Sequence, residues 1–382
     1  AVDRVTASSG DFKKPVLDVT YQTSTDLPDL IRFIRATPLL DGLALDPEQF
    51  VFEGGSEISG HLHTELGGSA ESMQVQGNLV MKGNKFTDLA SGVVIDGIIG
   101  RLDYGRNGLK ASALPGQYMG FPVKLDITSN WTADEVFRTH VFGDLPVEAV
   151  IPVELFEREP LFYNATGTSH WDVSLSVASV DGSEDREIWL EIYSGLAGVT
   201  IDLPEPLAKT GESIWPLVVR YPIRAREHLL TADFPGRMQL KMELSKEDSK
   251  PIRAAVELGG KVEKLPDNGL FSVNGSSDTF DLDGWINLAV ERFSESDQGD
   301  GLSLQSAQVD AAQIEVFDRK FTDVGLRMTY DSGIIIGAFD GEDINGSVRY
   351  YKNEAGSHSM SGEFERLIMP DPVTEGMTVE TD

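Results

Sequence analysis

The stretch MQLKMEL, residues 238–244, alternates apolar and polar residues at every position. Neighbouring side chains of a β-strand point to opposite faces, so this period of two predicts a strand with one apolar face and one polar face. The stretch WDVSLSV, residues 171–177, follows the same pattern. Each such strand must cover its apolar face, and the nature of that cover is the functional question.

Alternating stretches of this kind recur along the chain from Val16 to Leu367, and Val75–Met81 and Ile286–Val290 are two of them. Short turn signals such as RNG at residues 106–108 separate the stretches. Asn-Gly pairs accept the positive φ angles that tight hairpin turns require. The sequence therefore predicts a mainly β fold in which successive strands pair as an antiparallel meander.

One to three short helices are expected to interrupt the strands. Asp26 can cap a short helix near residues 26–36, and Thr132 and Glu135 have the spacing of a capping box. Pro152 argues against a long helix in the region that follows. The stretch Val147–Leu155 is expected to add a turn or two. Helices are therefore predicted near residues 26–36 and 132–156, where they would act as caps or plugs on the sheet.

The predicted organisation has three segments that no flexible linker separates. A first β segment covers residues 1–130, a partly helical insertion covers 131–160, and a second β segment covers 161–382. The tail after residue 370 has little apolar content and is expected to be frayed.

Composition excludes several classes of function. The 382 residues carry a formal net charge of −30, which argues against a nucleic-acid partner because such partners attract basic surfaces. The chain has no cysteine, so disulfides and thiolate metal sites are excluded. No run of about 20 apolar residues is present, so no membrane-spanning helix is expected.

Catalytic motifs are also missing from the sequence. It contains no nucleophile elbow, phosphate-binding loop or dinucleotide fingerprint. His61 and His63 have a spacing compatible with a metal site, and an exposed strand face is the preferred interpretation. Residues 278–284 lack the register of a calcium loop and are interpreted as an acidic turn. We therefore expect neither enzymatic activity, nor a cofactor, nor a bound metal.

Three stretches follow one another in an order that is known from one protein family. The first, residues 36–128, includes GIIGRLDYGRNGLKASALPGQYMGFPVKLDI, and the second, residues 198–221, contains LPEPLAK at 203–209. The third, residues 316–351, begins with VFDRKFTDVGLRMTY. In their order and number they resemble the YhdP group of the AsmA-like family of Gram-negative envelope proteins.

This resemblance implies a long twisted antiparallel sheet that is curled into an elongated apolar groove. It also implies phospholipid transport between the inner and outer membranes, in support of outer-membrane lipid homeostasis. The expected location is the periplasm, and the chain looks like an internal segment of a longer, inner-membrane-anchored protein. The expected partners are phospholipid acyl chains, the inner membrane through a region outside this chain, and other envelope proteins.

The residue pattern agrees with this implication, because an acyl chain needs only a continuous apolar surface, and each buried methylene gains about 0.8 kcal/mol. For every candidate residue, ordinary core packing is the competing interpretation. The candidate lipid-binding residues come from the clearest alternating stretches: Val75, Leu79, Met81, Val123, Leu125, Ile127, Trp171, Val173, Leu175, Val177, Ile188, Leu190, Ile192, Met238, Leu240, Met242, Leu244, Leu326 and Met328.

A second hypothesis explains the same alternation without lipid. Two or three β-sandwich domains, each with a closed core between two sheets, would also alternate apolar and polar residues. Such a chain would be a structural or binding module, for example an envelope scaffold or an adhesin.

Overall fold

A computed structural model of the chain describes most of its residues. They are residues 2–9, 16–29, 32, 50–65, 73–89, 92–130, 133–150, 164–179, 186–295, 302–316, 318–331, 334–352 and 358–370. The described strands belong to one 22-stranded sheet. The prediction of a mainly β fold is therefore confirmed. The sandwich hypothesis requires two separate sheets in each domain, whereas the described strands are joined in one sheet.

The strands are numbered in chain order and most of them are longer than six residues. Their bounds are β1 Val2–Ser8, β2 Val16–Asp26, β3 Phe50–Glu53, β4 Gly55–Glu65, β5 Gln74–Asp88, β6 Val94–Gly105, β7 Gly108–Tyr118, β8 Phe121–Ser129, β9 Glu135–Pro146, β10 Ala165–Ser179, β11 Arg186–Ser194, β12 Val199–Ile201, β13 Leu217–Arg224, β14 Leu229–Phe234, β15 Met238–Leu244, β16 Pro251–Leu258, β17 Leu270–Asp281, β18 Ser303–Val316, β19 Arg319–Asp331, β20 Ile334–Asp340, β21 Ile344–Lys352 and β22 His358–Leu367.

The chain divides into two compact units. Unit 1 comprises Ala1–Val150, Ser169–Ser194 and Pro222–Arg226, and unit 2 comprises Ile151–Thr168, Gly195–Tyr221 and Glu227–Asp382.

Unit 1 is built mainly from strands that pair antiparallel with a neighbour in the chain. Strand β2 pairs with β1 and β4, and β3 joins the far part of β5. Strands β4 to β9 follow as a meander, and β10 pairs with β9 and β11. This is the predicted meander.

Unit 2 contains two antiparallel meanders, one from β13 to β16 and the other from β18 to β22. Strand β17 pairs parallel with both β16 and β18, which the alternation did not predict. Parallel neighbours need a crossover connection rather than a hairpin. One crossover is the segment 259–269, and the other contains a helix.

The helices differ from the sequence prediction in position. Residues 27–29 and 32 are helical, and the rest of the helix expected near 26–36 lies outside the described residues. Helix α1, Val147–Val150, is short and lies within the second predicted helical region, residues 132–156. Glu135–Pro146 before it is strand β9, so the helix start predicted from the capping box at Glu135 is wrong. Strand pairing with β8 overrides this local signal. Residues 151–163 and the tail after 370 also lie outside the described part.

Helix α2, Leu282–Glu295, is the longest described helix, and it corrects the strand predicted at Ile286–Val290. Asp281 caps its start, because the Asp281 Oδ1 atom accepts a hydrogen bond from the Gly284 backbone N–H at 2.8 Å. The acidic turn expected at residues 278–284 is therefore the end of β17 and the first turn of α2. Helix α2 lies in the crossover between β17 and β18.

Candidate functional site

The strand registers show which side chains of unit 1 share a face, because directly paired residues project to the same side of a sheet. One cross-strand row joins Thr23, Ile58, Leu79 and Leu102. A second row joins Val19, Leu62 and Val75. We call this side the apolar face of unit 1.

The opposite face of these strands is polar and carries several contacts between histidine rings and aspartate carboxylates. Asp18 Oδ1 lies 2.8 Å from His63 Nδ1 and 3.3 Å from His61 Nε2. The hydrogen bond with His63 holds the pKa of Asp18 below its usual value. His140 similarly lies between Asp172, at 2.8 Å, and Asp126, at 3.6 Å.

The same contacts show which face each side chain occupies on the strands that follow in unit 1. Ile127 pairs with Ala111, and Leu125 pairs with Leu114, both on the apolar face. Asp126 projects to the other face together with His140 and Asp172. Because side chains alternate along β10, the residues on either side of Asp172 belong to the apolar face.

All the candidate lipid-binding residues of unit 1 consequently share its apolar face. On β10 and β11 they are paired directly, as in Val173 with Ile192 and Leu175 with Leu190, and these four side chains are half-buried. Trp171 at one end is fully buried and donates its Nε1–H to the Leu145 carbonyl at 3.0 Å. The other candidates of unit 1 that are buried are Leu79, Met81, Val123, Leu125, Val177 and Ile188. On β10 and β11 the apolar face is thus closed at both ends and more open along the middle.

Two tyrosines interrupt the apolar face of unit 1. Tyr21 and Tyr104 reach toward each other over Gly60 and Gly77, which occupy the same cross-strand row. The two hydroxyl oxygens lie 2.6 Å apart, and the Tyr104 hydroxyl also donates to the Ser59 carbonyl at 3.1 Å. Burial raises the pKa of Tyr104, so its hydroxyl stays protonated. This pair was not identified from the sequence.

Unit 2 has an equivalent apolar face with a longer continuous row. The register aligns Leu240, Val256, Val273, Ala307 and Met328 on β15 to β19. All five side chains are half-buried. We call this row the open strip. At about 4.8 Å between neighbouring strands it runs for roughly 19 Å.

The next row along the same strands is closed. Val309 pairs with Leu326, and Leu326 pairs with Phe339. Val309 and Leu326 are each 1% exposed, and Phe339 is 5% exposed. Leu326 and Phe339 belong to one hydrophobic cluster with Leu282 of helix α2. We call the buried set the α2 cluster: Leu282, Ala311, Ile314, Val316, Phe321, Val324, Leu326, Phe339 and Ile344.

The candidate residues of unit 2 therefore divide between these two environments. Leu240 and Met328 belong to the open strip, and Met238 and Met242 flank Leu240 on the same face of β15. Leu244, beyond a register shift at the end of β15, is buried. For Leu326, ordinary core packing against α2 describes the environment. Contact with lipid remains a prediction for all the candidates.

The start of helix α2 is fixed by the loop that contains the LPEPLAK motif. The Glu205 carbonyl accepts hydrogen bonds from Trp285 Nε1 at 2.9 Å and from the Asp281 backbone N–H at 3.1 Å. Lys209, only 4% exposed, donates from Nζ to the Val199 carbonyl at 2.6 Å and to the Thr210 carbonyl at 3.0 Å. Burial lowers the pKa of Lys209. Within the motif, the Glu205 carbonyl thus bonds to the start of α2, and Lys209 bonds within its own loop region.

Across the residues that the structure describes, no three His, Asp or Glu side chains group in a way that would hold a metal ion. Within the same residues, no helix combines the length and the apolar character needed to span a bilayer.

Comparison with known proteins identifies the family. The model of the YhdP family, described as YhdP protein, matches residues 1–381. No curated protein and no solved structure matches the chain. Because the family match extends over nearly the whole chain, from β1 through β22, the chain belongs to the YhdP family.

Proposed function

We propose that this chain binds the acyl chains of phospholipids on its apolar sheet faces and is part of a lipid carrier between the inner and outer membranes. The open strip of unit 2 is the observation that carries the proposal. Leu240, Val256 and Met328 are aligned across strands, apolar and half-exposed. A row of roughly 19 Å is of the order of an extended fatty-acyl chain.

The chemistry of the strip suits a ligand without fixed polar anchors. Apolar surface attracts an acyl chain in proportion to the area removed from water, by about 0.8 kcal/mol per methylene. Neighbouring positions along the strip are chemically similar, so an acyl chain can shift by one position at little cost. Such a role needs no catalytic residue and no cofactor.

Membership of the YhdP family, a family of envelope proteins, supports a periplasmic location for this segment. The partners that we propose are phospholipids, the inner membrane as the site of anchorage of the full-length protein, and other envelope proteins. The net charge of −30 keeps the polar faces hydrated and opposes adsorption to anionic lipid surfaces. Lipid would then reach the apolar faces by specific transfer.

The experiment measures lipid bound to the purified chain. Mass spectrometry of an organic extract is expected to find phospholipid, and a fluorescent fatty acid is expected to bind saturably. Absence of both would contradict the proposal.

Three variants connect binding to the open strip. Leu240→Asp places a charge on the strip and is expected to reduce binding of the fluorescent fatty acid at least tenfold, because burying an unpaired carboxylate is costly. Leu240→Met preserves an apolar side chain of similar volume and is expected to bind normally. Gln308→Asp, an exposed position on the polar face of β18, is the matched charge control. In the full-length protein, Leu240→Asp and Leu125→Asp are expected to stop lipid transfer.

A further inference from the structure

Helix α2 covers the apolar face of unit 2 at one side of the open strip. Leu282, in the first turn of the helix, is 3% exposed and lies in the α2 cluster. Ile286, one turn later, packs against the same cluster and is partly buried. The helix therefore occupies apolar surface that the strands alone would leave open.

The boundary between covered and uncovered surface is narrow. Met328 of the open strip and Leu326 of the α2 cluster are two residues apart on β19, and Ala307 and Val309 are related in the same way on β18. Residues two apart on a strand share a face and lie roughly 7 Å from each other. Met328 is partly buried and packs against the α2 cluster, so it marks the boundary.

We propose that α2 is a stop that ends the lipid-binding surface of unit 2. Acyl chains occupy the open strip and are excluded from the α2 cluster, because Leu282 is part of that cluster and Ile286 packs against it. This inference rests on the proposed function and adds the limit of the binding surface.

The anchoring of α2 supports a fixed stop. The helix is capped by Asp281 and held through Trp285 and the Glu205 carbonyl. A third contact joins Asp283 Oδ2 to the Asp318 backbone N–H at 2.9 Å. These hydrogen bonds fix the first turn of α2, which is the turn that contributes Leu282.

The test uses a phospholipid with a photoreactive diazirine in its acyl chain, presented in phosphatidylethanolamine vesicles and crosslinked to the purified chain. Digestion with trypsin yields separate peptides from the open strip and from the α2 cluster. The peptides MQLK, residues 238–241, and AAVELGGK, residues 254–261, report on the open strip. The peptide FTDVGLR, residues 321–327, reports on the α2 cluster. Label is expected on the first two peptides and not on the third.

Variants of α2 test the cause of the exclusion. Ile286→Asp removes apolar contact between the helix and the cluster, and the label on FTDVGLR is expected to rise several-fold relative to AAVELGGK. Asn287→Asp adds the same charge at the next, exposed position of the helix and is expected to leave the pattern unchanged. Circular dichroism checks that each variant is folded, and Ile286→Ala, with a smaller expected rise, replaces Ile286→Asp if the latter unfolds.

Each outcome distinguishes the stop from the proposed function. If none of the three peptides is labelled, lipid binding on this face is contradicted. Label on FTDVGLR in the unmodified chain would overturn the stop while leaving lipid binding intact. A pattern that stays confined to the open strip in folded Ile286→Asp or Ile286→Ala would also overturn it, because α2 would not be the cause of the exclusion.

Discussion

Leu240 and Leu326 are the same residue type on the same face of unit 2, yet their surroundings differ. Leu326 is 1% exposed in the α2 cluster, to which Leu282 of helix α2 also belongs, whereas Leu240 is half-buried in the open strip. Both sit in cross-strand rows of apolar residues. A strand pattern therefore determines which side chains share a face, and elements outside the strand determine whether that face is core or binding surface.

The largest expected effect comes from truncating these two leucines. Leu326→Ala is expected to lower the free energy of unfolding by about 3–4 kcal/mol, because it leaves a cavity in a closed cluster. Leu240→Ala removes a half-exposed side chain and is expected to cost roughly 1 kcal/mol. Urea unfolding of both variants measures the difference. Equal losses would show that the open strip is as well covered as the α2 cluster.

A smaller effect is expected in unit 1, where the tyrosine pair covers part of the apolar face. A methyl group on Gly60 would lie 2.5 Å from the Tyr21 hydroxyl oxygen and 2.6 Å from that of Tyr104. Gly60→Ala is therefore expected to displace the rings and to destabilise the chain by about 1–3 kcal/mol. Thermal unfolding measures this loss, and Gly105→Ala, where the added methyl meets only the Val75 carbonyl at 3.5 Å, is the control. If Gly60→Ala and Gly105→Ala lose the same stability, the two tyrosine rings are not packed over Gly60.

The smallest effect concerns the polar face of unit 1. The pKa of Asp18 is lowered, chiefly by the hydrogen bond with His63, so the folded state binds the proton of Asp18 more weakly than the unfolded state does. The stabilisation is therefore present above the ordinary pKa of 3.8 and is lost as the pH falls through the lower folded value. A carboxyl NMR titration is expected to show Asp18 titrating below 3.8, and His63→Gln is expected to raise its pKa.

Binding of a fluorescent fatty acid should be unaffected by His63→Gln. A loss of binding in this variant would mean that the polar face takes part in lipid capture. An unchanged Asp18 titration would mean that the contact with His63 is not maintained in solution.

The sequence predicted the faces of the strands better than the elements between them. Residues 171–177 and 238–244 have the predicted alternation because period-two patterning is a local property of a strand. Helix α2 was missed, although Leu282, Ile286 and Val290 are spaced at four residues and Asp281 precedes them as a cap. That spacing indicates a helix, but residues 286–290 also alternate with a period of two and were therefore interpreted as a strand.

Other features depend on pairing and were not accessible from local pattern. Tyr21 and Gly60 meet only because β2 pairs with β4 in one particular register. Likewise, Leu326 and Leu240 both lie in alternating stretches. The packing of α2 against the cluster that contains Leu326 is a tertiary feature. The strand at Glu135–Pro146 shows the reverse case, in which pairing with β8 overrode a local helix signal.

The meander has a consequence for how this chain folds. Most strands pair with the next strand along the chain, so most pairings close short loops. Short loops cost little entropy, and proteins dominated by local contacts fold faster than proteins with distant pairings. Hairpins can therefore form in sequence as the polypeptide emerges, each one providing an edge for the next. Strand β18 is one of the exceptions, because it can dock on β17 only after the segment containing α2 has crossed over, and such pairings are expected to form later than the hairpins.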